Sequence, residues 1–144
     1  PLTRTEETSV RVRGMNSITN DLERIGDIFY QMSKSIERKN EQKVWFSPKQ
    51  RESLKDMFKL VDKAFDIMIE NLNMDFEKAN LLKAQEIEYE INEKRDEMRK
   101  RHLSNLEKTD YNFESGLIYN DLFSSCEKIG DHIINVSEAL KGKI

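Results

Sequence analysis

Residues 120–137 read "NDLFSSCEKIGDHIINVS" and residues 20–33 read "NDLERIGDIFYQMS". The two stretches share a core of Glu-basic-Ile-Gly-Asp: Glu23-Arg24-Ile25-Gly26-Asp27 and Glu127-Lys128-Ile129-Gly130-Asp131. Around each core, apolar residues return every three or four positions, the period of a helix buried along one face. The later row is Tyr119, Leu122, Cys126, Ile129, Ile133, Val136 and Leu140. The earlier one is Met15, Ile18, Leu22, Ile25, Phe29, Met32 and Ile36. Both copies therefore read as helix, and each sets a glycine in the interior, where it costs about 1 kcal/mol relative to alanine. Close packing of a neighbour, or room beside the carboxylates, would each account for such a glycine.

Working outward, the same periodicity predicts four helices, at about 10–40, 48–73, 76–108 and 112–141. The connector "NEQKVWFSPKQ" ends the first. There Ser47 suits an N-cap, Pro48 the first turn and Gln50 the far side of a capping box. The second row is Leu54, Phe58, Val61, Phe65, Met68 and Leu72. "NMD" then makes a short connection with Asp75 as the expected cap of the third helix. That helix is the most charged, with a thin row of Ala84, Ile87, Ile91 and Met98, and "EKTDYN" breaks it. Gly142 marks the end of the fourth. Short connectors make neighbours antiparallel. The expected fold is all-α, an up-down antiparallel bundle of four long helices in a single domain spanning 1–144.

Composition supports this and bounds the function. Charged residues make up 35%, Gly and Pro number five and two, and the net charge is −3. That balance favours long amphipathic helices and speaks against a nucleic-acid partner. A single cysteine excludes an internal disulfide and fits a reducing, cytoplasmic setting. No apolar run approaches the roughly 20 residues that cross a bilayer. The chain begins at Pro1 rather than Met, which reads as a processed chain or an excised fragment, free-standing or the soluble part of a membrane protein.

Catalytic signatures are sparse. There is no phosphate-cradling Gly-rich loop, no zinc-type Cys/His spacing and no Glu-x-x-His pair of the kind di-iron bundles use. Cys126 lies in the apolar row of its helix and reads as a small buried hydrophobe. The carboxylate pairs say more. Glu127 and Asp131 share one helix face a turn apart, where two negative groups repel unless a cation sits between them. Counting both ways from a turn near residue 110 brings Glu88 level with Asp131 and Asn92 level with Glu127. Four oxygen donors from two facing helices would suit iron, manganese or magnesium. A shift of one turn would substitute Glu86 and Glu90. Glu23 and Asp27 form a secondary candidate pair, with Asp62 and Asp66 of the second helix at similar height. His102 ends the basic run "KRDEMRKRH", suited to the negative end of a helix dipole. Its alternative role is an anion or protein contact. His132 is turned about 100 degrees from Asp131 and reads as a flank residue rather than a ligand.

These residues resemble the PhoU family of phosphate-transport regulators, in which a three-helix unit is duplicated and each unit ends in "ERIGD" or a close variant. "LERIGD" at 22–27 and "CEKIGDH" at 126–132 match it. Residues 99–140 look like the C-terminal PhoU-like domain of bacterial Na/phosphate cotransporters: Arg101-His102, the run Ser115 to Tyr119, Asp121, Gly130 to His132 and Asn135. "FSP" at 46–48 resembles the linker of such domains. The resemblance implies metal binding through paired motifs, with Glu88 and Asn92 on one helix and Glu127 and Asp131 on the next. Asn92 departs from the usual aspartate. It also implies two further helices before residue 10, so the chain would be one long helix followed by a complete three-helix unit. The expected function is that of a non-enzymatic, cytoplasmic regulator of phosphate uptake. Its expected partners are a membrane phosphate transporter, in the same chain or separate, and further copies of itself through helix faces. The alternatives are a structural, oligomerising bundle without metal and a carboxylate-bridged di-metal enzyme.

Overall fold

The computed structural model describes residues 1–75 and 78–142. It is all-helical: α1 (Arg4–Glu41), α2 (Pro48–Leu72), α3 (Leu81–Asn105) and α4 (Phe113–Leu140), with no strand among the described residues. The helices pack against one another as the four-helix antiparallel bundle that the periodicity predicts.

Each helix starts where a side chain takes up a free amide of the first turn. Thr3 and Glu6 form a reciprocal capping box, which starts α1 ahead of the expected residue 10. Ser47 and Gln50 do the same for α2, with Pro48 at its first position. Asn112 accepts from the Ser115 amide to begin α4.

The third helix corrects the expectation. It starts at Leu81 rather than at 76, and its cap is Asn80, not Asp75. Residues 76 and 77 themselves lie outside the described residues. The cause is Asn71, a fully buried side chain near the end of α2. Its Oδ1 accepts the Asn80 N–H at 2.8 Å, and its Nδ2 donates to the Asn80 carbonyl and to Ser137 Oγ at 3.4 and 3.1 Å. One amide thus ties the α2–α3 connection to α4 and holds Asn80 where it can cap.

The apolar row of α4 is buried throughout, and α4 lies against all three other helices. α3 also buries its whole expected row, Ala84, Ile87, Ile91 and Met98. α1 runs antiparallel along α4: Arg38 meets Asp121 at 2.9 Å toward one end and Asp21 meets His132 at 2.8 Å toward the other. Here the expectation of one buried row fails in part. Ile18, Ile25 and Met32 are buried on α4, whereas Met15, Leu22, Phe29 and Ile36 remain 40–59% exposed. α2 divides similarly, with Leu54, Val61 and Met68 inside and Phe58 and Leu72 exposed. Between the two open rows Phe29 stacks on Phe65 with ring centres 5.8 Å apart, although the backbones of α1 and α2 are not in contact.

Asn71→Ala leaves the Asn80 N–H and the Ser137 hydroxyl without their partner, and should cost about 1–3 kcal/mol. Urea unfolding checks this, with the exposed Asn73→Ala expected to unfold close to the parent.

Candidate functional site

α3 approaches α4 closely at one point. A Cβ at Gly130 would stand 3.3 and 3.4 Å from the Cδ1 and Cγ2 atoms of Ile91, and both residues are buried. Close packing therefore accounts for this glycine. It also sets the register, because one turn on either side of Ile91 decides which polar groups of α3 face Glu127 and Asp131.

Glu88 and Asn92 are those groups. Both are half-buried, and Asn92 Nδ2 donates to Glu88 Oε1 at a long 3.5 Å. Burial raises the Glu88 carboxyl above its ordinary pKa, and the charges of Asp131, Glu138 and Glu127 add to this against the Asn92 bond. Burial likewise raises Asp131, helped by the charge of Glu127 and a hydrogen bond with it, while His132 and Arg95 pull the other way. Glu127 is held by Arg95 Nη1 at 3.2 Å, both side chains being about four-fifths buried. Asn92 Oδ1 is buried and accepts no hydrogen bond. An orphaned acceptor beside two acids that resist ionising is a site short of positive charge.

Glu86 and Glu90, the alternates, lie two residues along the helix and so on its other side, exposed in a depression between α2 and α3 with Lys63 and Lys83. Glu23 and Asp27 are exposed as well, and no hydrogen bond or ion pair joins them to Asp62 or Asp66. Beside them, nothing lies within 4 Å of a Cβ built on Gly26. The two copies of the motif are thus unlike: the second is enclosed by α3, the first is open.

Among the described residues, no three His, Cys, Asp or Glu side chains form a group able to hold a metal. With Arg95 on Glu127 and an amide at position 92, the face does not fit a cluster of several metal ions. The oxygen donors this face offers are the Glu88 and Asp131 carboxylates and the Asn92 amide, the ligand type that hard cations prefer.

Two histidine assignments change. His132 is no idle flank residue: its Nδ1 lies 2.8 Å from Oδ1 of the buried Asp21, which also accepts from Asn135 Nδ2 at 3.3 Å. This clamp fastens α1 to α4. Its signal was present in the sequence, since Asp21 falls three and four residues from Ile18 and Ile25 in the row that is buried. His102 is buried rather than a surface cation, and desolvation lowers its pKa. The Tyr111 hydroxyl accepts from Gln50 Nε2 at 3.3 Å and lies 2.8 Å from His102 Nδ1, to which it can donate while the imidazole is neutral. Gly116 makes room for that ring, since a Cβ there would stand 2.6 Å from Tyr111. Cys126 is fully buried, its thiol pushed up to about 12 by desolvation, which makes it a poor nucleophile.

No family model, curated protein or solved structure matches this chain.

Glu88 and Asp131 bind protons more tightly in the folded chain than in the unfolded one. Their ionisation therefore opposes folding above the ordinary carboxylate range, and the penalty fades as pH falls toward it. In buffer free of divalent cations, Asp131→Asn should melt above the parent at pH 7, with the gain shrinking toward pH 4. Thermal melts across that range check the sign.

Proposed function

We propose that this chain is a regulatory module without a reaction of its own, in which one divalent cation binds between α3 and α4. The observation that carries the reading is the orphaned Asn92 oxygen beside Glu88 and Asp131. A hard cation there would satisfy the amide oxygen and remove the repulsion between the two acids, so its binding would stiffen the α3–α4 pair. Magnesium, manganese and ferrous iron all have the required preference for oxygen donors.

The link to phosphate uptake rests on the resemblance of the duplicated Glu-basic-Ile-Gly-Asp motif to PhoU-like domains. In that reading the module lies in the cytoplasm, as a separate protein or as the soluble part of an inner-membrane protein, and its partner is a membrane phosphate transporter. Consistent with such a part, no helix among the described residues is long and apolar enough to cross a membrane. A structural, oligomerising role is the second reading, favoured by the exposed apolar rows of α1 and α2.

Saturation at about a hundred times the dissociation constant stabilises the bound fold by about 2.7 kcal/mol. For a chain of this size that is a rise of roughly 5–10 °C in melting temperature. Mn²⁺ should produce such a rise in the parent and little in Asp131→Ala or Glu88→Gln. Equal rises in all three would remove the cation from the proposal.

A further inference from the structure

The geometry points to a second copy of this chain as the occupant of the groove between α1 and α2, paired through α1 in antiparallel fashion about a two-fold axis. This does not depend on the cation reading.

The groove is layered. Phe29 stacks on Phe65, and one heptad to either side Leu22 and Ile36 of α1 are exposed, as are Leu72 and Phe58 of α2. Adding Val12, Met15 and Ile69, these side chains leave roughly 600 Å² of apolar surface open on each chain, about 1,200 Å² for a symmetric pair. That reaches the lower bound of a stable interface, and the area on one chain lies at the upper end of what a monomer shows to water.

The sequence of α1 says what fits there. Between its large residues lie small ones, also exposed: Thr19, Gly26 and Ser33. The Thr19 hydroxyl donates to the Met15 carbonyl at 2.9 Å and the Ser33 hydroxyl to the Tyr30 carbonyl at 2.6 Å, so neither brings an unmet polar group to a contact. Gly26 is the telling residue. A helix-interior glycine weakens its helix relative to alanine, yet nothing inside the chain fills the space at its missing Cβ. Gly130, its counterpart in the repeat, is filled by Ile91.

A second α1 laid antiparallel supplies the missing neighbour. With the axis at residue 24, Leu22 of one copy falls on Gly26 of the other, Phe29 on Thr19 and Met15 on Ser33. Each of these layers sets a large residue against a small one, the complementarity that lets helices approach closely. Because the axis is two-fold, every such layer occurs twice, and α2 of each copy walls the side through Phe58 and Leu72.

The test separates the pairing from the fold. Light scattering of the chain at micromolar concentration should give twice the 17.0 kDa of the monomer. A Cβ at Gly26 meets no atom within 4 Å in the single chain, and a glycine in a helix interior weakens the helix. Gly26→Glu should therefore keep the helical spectrum and, at concentrations where the parent too is monomeric, melt no lower than it. It should nevertheless scatter as a monomer where the parent is a dimer. Oxidising a mixture of Leu22→Cys and Gly26→Cys chains should yield the mixed disulfide in preference to either homodimer, the native Cys126 being buried. A monomeric parent would overturn the proposal and leave the groove to another helix, of a further segment of this protein or of a different chain. A Gly26→Glu variant that still dimerises, or Leu22–Leu22 cross-links in preference to mixed ones, would overturn this register.

Discussion

Ile91 lies against the backbone of α4 where Gly130 carries no side chain, and the spacing and register of α3 on α4 follow from that contact. Because Ile91 sits one residue before Asn92 and three after Glu88, it decides that these two face Glu127 and Asp131 while Glu86 and Glu90 face away. The consequence is electrostatic. Acids that would be solvated on a looser bundle are brought together and partly dried, so burial dominates their raised affinity for protons. The chain answers only part of that cost, with Arg95 on Glu127. An apolar contact has therefore created a polar deficit beside it, and the deficit is what distinguishes this face from the many exposed acids elsewhere on the surface.

Much of the fold was legible because helix period and capping chemistry are local. Ser47, Pro48 and Gln50 announce the start of α2, and every residue in the expected rows of α3 and α4 is buried, although Ile118, Phe123, Ile134 and His102 are buried beside them without having been in a row. The start of α3 was not legible, because it depends on Asn71, a residue nine positions earlier whose amide binds both Asn80 and Ser137. A long-range hydrogen bond overrode a reasonable local cap at Asp75. The split of the α1 row was hidden for a related reason. Periodicity shows which residues are apolar and share a face, not how wide a face the neighbours will cover. With only α4 alongside its backbone, α1 had half its row left over.

The candidate site was partly legible. The level pairing of Glu88 with Asp131 follows from counting around a short connection, and the structure places those groups within electrostatic reach of each other. Arg95 was missed because it pairs across helices, and sequence gives no geometry for that. Asp21 and His132 were missed as partners although Asp21 interrupts an apolar row, a position where a carboxylate needs a bond to be tolerated. The two aspartates of the repeated "NDL" serve alike: Asp21 reaches α4 through His132, and Asp121 reaches α1 through Arg38.

The uneven enclosure of the helices has a consequence for how the molecule comes apart. α2, α3 and α4 are consecutive, joined by short connections, and each packs on the other two, whereas α1 packs its backbone against α4 alone. α1 packs on α4 through Gly14, Ile18, Ile25 and Met32, the Asp21–His132 clamp and the Arg38–Asp121 ion pair. It touches α2 through the Phe29–Phe65 stack, and none of residues 4–13 is buried. Opening of such a protein is expected to be graded rather than all-or-none, with the outer layer lifting at a lower free energy than the three-helix unit. Amide hydrogens of α1 would then exchange by a separate, shallower opening, fastest in its first three turns, while those of α4 would exchange only on global unfolding.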